Sequence, residues 1–203
     1  MLKRARRLLA RHSLRNPNEA EIMDVLAALG QGAAEIKRWH LRWLKEKPSG
    51  YRVVSTKAFA TFRELCKEHI EVFPRAYDFT TGVLERDMRL STICLLYILQ
   101  AMIDIHASYP NACAENFMEC QETMAKVEAK AAADALCMHV PWSSRVQNAT
   151  YACTYSIAPL YHASEFYRRY AYVEEQGWCA EVSQALSERY GILVDFSAGL
   201  IAQ

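Results

Sequence analysis

A chain of 203 residues with 24 basic and 23 acidic side chains has a formal net charge of +1, which gives it no global electrostatic reason to bind nucleic acid or anionic lipid. It is long enough to bury a core without disulfide staples, and its 52% apolar and 23% charged residues are ordinary for a globular protein. Only 7 Gly and 6 Pro punctuate it, which favours long helices over a many-turned β fold. The expected fold class is all-α, an irregular bundle or array of about seven to eight helices. We read residues 1–203 as a single helical domain, with N-terminal helices over 1–47 and a main helical body over 55–203.

Six cations, Lys3, Arg4, Arg6, Arg7, Arg11 and Arg15, precede the first acid, Glu19. The simplest reading is a solvated first helix reaching about His12; a mitochondrial presequence and a contact with an anionic surface are the alternatives. Asn18 and Glu21 form a capping-box-like start for a long helix. Its apolar stripe is Ile22, Val25, Leu26, Leu29, Ala33, Ile36, Trp39, His40 and Trp43, weakened locally by Gly30 and Gly32. Lys47-Pro48-Ser49-Gly50 ends it. Tyr51 to Val54 reads as an isolated linker. Phe59, Phe62, Cys66 and Ile70 mark a helix that Pro74 kinks or divides, and a further helix spans Tyr77 to His106 with Val83, Leu84, Leu90, Ile93, Cys94, Tyr97, Ile98, Ala101 and Ile105 inward. Its apolar run from Ile93 to Ile103 is closed by Asp104 and is too short to span a bilayer, so no membrane partner is expected.

From Cys113 to His139 a helix is expected with Phe117, Cys120, Met124, Val127, Ala131 and Ala135 inward, broken by Val140-Pro141-Trp142-Ser143. Ser143 or Ser144 then caps a helix running to about Tyr172. Trp178, Val182, Ala185, Leu186 and Tyr190 mark another, ended by Gly191, and Asp195 caps a short last helix.

Seven cysteines, an odd number mostly set in apolar helical patterns, and early Arg and Lys that interrupt any secretory stretch point to free thiols in a reducing compartment. Nucleus or cytoplasm is expected, with the mitochondrion as the minor alternative. Cys66-x2-His69 and Cys137-x-His139 lack companion pairs at finger-like distance, so neither a metal nor a cofactor is expected.

Several segments carry a family pattern. His69-Ile-Glu-Val-Phe-Pro74 leads into Arg89-Leu-Ser-Thr-Ile-Cys-Leu-Leu-Tyr97; Tyr151 to Ser164 and Trp178 to Gly191-Ile follow, with Trp39 and Trp43 upstream. This order resembles the C-terminal half of the fungal-specific transcription factor domain, the helical regulatory region of zinc-binuclear-cluster regulators. The DNA-reading half of that family begins with six closely spaced cysteines. Here none precedes Cys66, so no direct sequence-specific DNA binding is expected.

The resemblance implies a stand-alone regulator-like helical protein, linked to secondary metabolism, that binds a protein partner or a small apolar effector. The alternative is a cofactor-free cyclase or isomerase acting on an apolar molecule in an aromatic pocket. Tyr151, Tyr155 and His162 share a helical face by steps of four and seven, as do Tyr97 and Asp104. These five are the candidate ligand-binding residues, and Asp104, His162 and Tyr155 the candidate catalytic ones under the alternative.

Overall fold

The computed structural model describes residues 1–11, 18–110, 116–145 and 149–190, and the side chains within them except those of residues 11, 116–120 and 149–155. Among the described residues are seven α-helices, a 3-10 turn and two short strands, so the chain is an all-α-dominated irregular helical array. In chain order these are α1 (Leu2–Arg11), α2 (Glu19–Glu46), β1 (Tyr51–Ser55), the 3-10 turn (Thr56–Ala58), α3 (Ala60–Leu65), β2 (Arg75–Phe79), α4 (Gly82–Ser108), α5 (Asn116–Ser143), α6 (Ala149–Arg169) and α7 (Val173–Tyr190). The chain divides into two compact units: Met1–Lys47 with Ser91–Ala132, and Pro48–Leu90 with Ala133–Gln203. The expected Gly191 terminator and the short helix capped by Asp195 lie outside the described residues.

In the first unit α1 is amphipathic. Ala5 and Leu8 are buried while Lys3, Arg4, Arg6 and Arg7 face solvent, and Tyr109 Oη donates to the Leu8 carbonyl at 3.0 Å. The Asn18 cap is present, its Oδ1 accepting from the Glu21 N–H at 2.7 Å. Ile22, Val25, Leu26, Leu29, Ala33 and Trp43 are buried along α2, as the stripe predicts. A hydrogen bond of 2.6 Å between His40 Nε2 and Ser91 Oγ joins α2 to α4.

The inward face of α5 differs from the expected one. Met124 and Val127 are exposed, whereas Ala125, Ala129, Ala132, Ala133 and Leu136 are buried. Alanines let helices approach closely, and close packing outweighs the larger hydrophobicity of Met and Val. In α4 the buried face holds Leu95, Leu96, Leu99, Met102 and Ile103 beside the expected Ile93, Ile98 and Ile105, while Val83, Leu90, Cys94 and Tyr97 are exposed. By length and composition alone α4 could cross a bilayer, and 44% of its most apolar window is buried inside the protein.

The second unit corrects three local expectations. Tyr51–Ser55 is a strand, not a linker. It pairs antiparallel with Arg75–Phe79 in the register Tyr51↔Phe79, Arg52↔Asp78 and Val53↔Tyr77. The ladder is supported by a Tyr51–Tyr77 edge contact of 5.2 Å and by Arg52 Nε donating to Asp78 at 3.0 Å. Residues 75–79 are therefore extended, and α4 begins at Gly82 rather than Tyr77. The preceding helix stops at Leu65, short of Ile70. Finally, α5 continues through Pro141 to Ser143. Pro141 lies in its last turn, so the one i→i−4 bond it forgoes leaves only the final residues of the helix to be disturbed. Trp142 is held in place by donating to the Phe79 carbonyl at 2.8 Å. The Ser144 Oγ donates back to the Pro141 carbonyl at 2.8 Å.

α6 ends at Arg169, before the expected Tyr172. The Tyr172 N–H bonds the Tyr167 carbonyl at 3.0 Å across Ala171, which sits at φ 58°. That closure is the left-handed helix terminus that glycine usually supplies. Past it, Trp178 is fully buried, 4.8 Å from Phe73 and 5.8 Å from Phe62 between ring centroids. Such contacts contribute about 0.5–1.5 kcal/mol per pair beyond area burial. Because an L side chain in this backbone region costs about 1–2 kcal/mol, Ala171→Gly is expected to stabilise the protein by about 1 kcal/mol in urea unfolding; a lowered midpoint would contradict the cap.

Candidate ligand-binding groove

In the first unit α2, α4 and α5 leave an open groove of about 430 Å³. Three stripes at helical spacing form it: Met23, Leu26, Ala27, Gly30, Ala33 and Lys37 from α2, Leu99 and Met102 from α4, and Gln121, Met124, Ala125 and Glu128 from α5. Leu26, Ala33, Leu99, Met102 and Ala125 are buried and make an apolar floor, while Met23 and Met124 stand exposed at the edges. Methionine is unbranched and polarisable, so such edges adapt to varied shapes. Gly30 faces open space: a Cβ built there meets no heavy atom within 4 Å. Gly32, two residues on and so on the opposite side of the helix, is occupied instead, its Cβ position lying 2.7 Å from Met1 Sδ. Lys37 Nζ reaches Glu128 at 2.5 Å, an ion pair between α2 and α5 at the end of both stripes.

Of the residues singled out in the sequence, Tyr97 and Asp104 belong to the first unit and His162 to the second. Tyr97 is exposed and Asp104 half-buried on α4 in the first unit, and neither lines the groove. Leu99 and Met102, on another side of α4, do. His162 belongs to α6 in the second unit, half-buried with Tyr161 edge-on at 5.2 Å. The side chains of Tyr151 and Tyr155 lie outside the described residues. The groove contains no Tyr, His or Asp among its described lining residues. Its signal in the sequence is faint: methionines at positions 23, 102 and 124 and a glycine amid a good helical stripe.

The second unit holds two polar clusters that the sequence did not reveal. The first is built on Glu181 of α7. Its Oε1 accepts from the backbone N–H groups of Lys67 at 2.5 Å and Glu68 at 2.9 Å. Its Oε2 accepts from the His69 N–H at 3.0 Å and contacts His69 Nδ1 at 3.1 Å and Cys66 Sγ at 3.4 Å. Burial by itself pushes this carboxyl up, but the three backbone donors and the His69 ring outweigh it and hold it at about 2. Burial and the neighbouring carboxylate push the Cys66 thiol up, which leaves it a poor nucleophile.

In the second cluster, Glu85, Arg89 and His139 are almost fully buried. Glu85 Oε1 accepts from Arg89 Nε at 2.8 Å and lies 3.2 Å from His139 Nδ1. His139 stacks on Phe79 at 5.0 Å and meets Tyr77 edge-on. Burial lowers its basicity, with Glu85 opposing and Arg89 assisting. The two Cys/His pairs thus diverge: Cys66 and His69 serve Glu181, His139 serves Glu85. Among the described residues no set of three His, Cys, Asp or Glu side chains is placed to hold a metal ion. No family model matches this chain, and no curated protein or solved structure matches it either.

Buried histidines and the Glu181 cluster together set the response to acid. His106, His139 and His162 all have basicities lowered by burial, below the ordinary 6.5. The unfolded chain then binds more protons than the folded one just below that pH, and stability falls as pH drops through it. Glu181, depressed from 4.5 to about 2, adds stability that is present above 4.5 and lost towards 2. Thermal melts across pH 8 to pH 2 (roughly the span of these shifts) are expected to fall in two stages. Glu181→Gln should lower the plateau and blunt the second stage only; an unchanged second stage would show that the clasp is not its source.

Proposed function

We propose that this chain is a non-enzymatic binding protein whose helical groove between α2, α4 and α5 takes a small apolar effector. The observation that carries the reading is the groove itself: open, apolar-floored, methionine-edged, and of a volume ordinary for a small-molecule site. The resemblance to the regulatory helical region of fungal zinc-cluster regulators favours the same function, an effector-responsive body without a DNA-reading module, in a setting of secondary metabolism. Binding would act by population shift, the effector stabilising the arrangement of the three helices that holds the groove open. Against a cyclase or isomerase stands the chemistry of the lining. Proton transfer needs acid and base groups within hydrogen-bond reach of the substrate. Here Lys37 and Glu128 neutralise each other at one end, and the rest is apolar apart from Gln121.

Gly30→Leu tests the reading. The new side chain enters open space, and removing a helix-interior glycine adds roughly 1 kcal/mol of helix propensity. The unsubstituted protein is expected to bind the neutral fluorophore N-phenyl-1-naphthylamine saturably. Gly30→Leu should weaken that binding at least about tenfold, because it fills the surface where apolar area is removed from water at about 25 cal/mol per Å², with no loss of melting temperature. Equal binding by the two proteins would rule the groove out as the site.

A further inference from the structure

In the second unit two thiols from different helices lie in contact. Cys137 Sγ of α5 is 3.9 Å from Cys179 Sγ of α7, and both residues are fully buried. A disulfide requires about 2.05 Å between sulfurs, so closing the pair asks for a shift of the order of a rotamer adjustment rather than a rearrangement of helices. The pair also has a route for protons. Cys137 Sγ is 3.7 Å from Tyr167 Oη, which in turn donates to Asp134 Oδ1 at 2.8 Å. Asp134 is half-exposed. The remaining described thiols differ: Cys66 is committed to Glu181 and Cys94 is exposed on α4.

We propose that Cys137 and Cys179 form a site of oxidative modification that closes to an intramolecular disulfide joining α5 and α7. The oxidant class is a hydroperoxide, hydrogen peroxide being small enough to enter a packed interior on local opening. Burial and the neighbouring Cys179 hold the Cys137 thiol above its ordinary range in the closed interior; on the local opening that admits peroxide the burial is relieved, Cys137 loses its proton along Tyr167 to Asp134, and its sulfur attacks one peroxide oxygen. The O–O bond breaks, and the leaving oxygen takes up a proton and departs as water. Cys137 is then a sulfenic acid. The Cys179 sulfur attacks it, the S–O bond breaks, and the hydroxide leaves as water with the Cys179 proton. In sum two thiols and one hydrogen peroxide give one disulfide and two waters, with two electrons passing from the sulfurs to the peroxide.

The reduced full-length chain, titrated with hydrogen peroxide, alkylated and digested without reductant, tests this by mass spectrometry. Cys94 reports that oxidant has reached the protein. The expected product is a linked peptide pair containing Cys137 and Cys179, lighter by two hydrogens than the separate peptides, while Cys66 stays alkylatable. Cys137 or Cys179 linked to any other cysteine, sulfinic acid at either without a link, or both still free once Cys94 is fully oxidised would each overturn the assignment. Tyr167→Phe retains the ring and removes the hydroxyl. It should slow closure several-fold, with the circular dichroism spectrum unchanged, and a rate equal to that of the unsubstituted protein would refute the proton route and the priority of Cys137.

Discussion

A single carboxylate holds the irregular part of the second unit in place. Between α3 and β2 the chain leaves helical geometry, and the N–H groups of Lys67, Glu68 and His69 have neither a helix nor a ladder to satisfy them. Glu181 accepts from all three. Three charge-assisted bonds to one carboxylate fix where this largely exposed segment meets α7. The consequences spread locally. Trp178, one turn earlier on α7, meets Phe62 and Phe73 on either side of the clasped segment. β2, which follows Phe73, is delivered to β1, and the Pro74 carbonyl accepts from the Thr56 N–H at 3.0 Å.

The same unit buries an ion pair where an apolar contact would be expected. Glu85 and Arg89 stand one turn apart on α4 and point inward, while Val83 and Leu90 point to solvent. Desolvating such a pair offsets most of its Coulombic gain, so it is weak evidence for stability. What it does provide is geometric definition. Glu85 orients His139, and His139 fills the space between Tyr77 and Phe79. Removing one partner would leave a buried charge alone, at a cost of about 3–5 kcal/mol.

In functional terms the polar chemistry and the open space are separate. The groove of the first unit is apolar and adaptable, whereas the acid, imidazole and thiol groups of the second unit are engaged with one another. Carboxylates and imidazoles packed in this manner act as structural ties. A recess of Met, Leu and Ala recognises shape and apolar area rather than a reacting bond.

Helix content and most helix starts were legible in the sequence because they are local. The Asn18 cap, the α2 stripe and the scarcity of Gly and Pro each act within a few residues. The groove was not. Tyr97 and Asp104 share a face of α4 by spacing alone, yet Leu99 and Met102 are the α4 residues that line the groove, because the packing of α2 and α5 decides which side of α4 is covered. The pairing of Tyr51–Ser55 with Arg75–Phe79, the alanine face of α5, the inward turn of Glu85 and Arg89, and the end of α6 at Ala171 share one cause. Each depends on a partner supplied from elsewhere in the chain, such as a strand, a helix surface, an imidazole or a returning carbonyl. Sequence determined where the backbone coils; tertiary contacts decided which faces are buried and which polar groups meet, since burial and hydrogen bonding are satisfied between segments that no local pattern brings together.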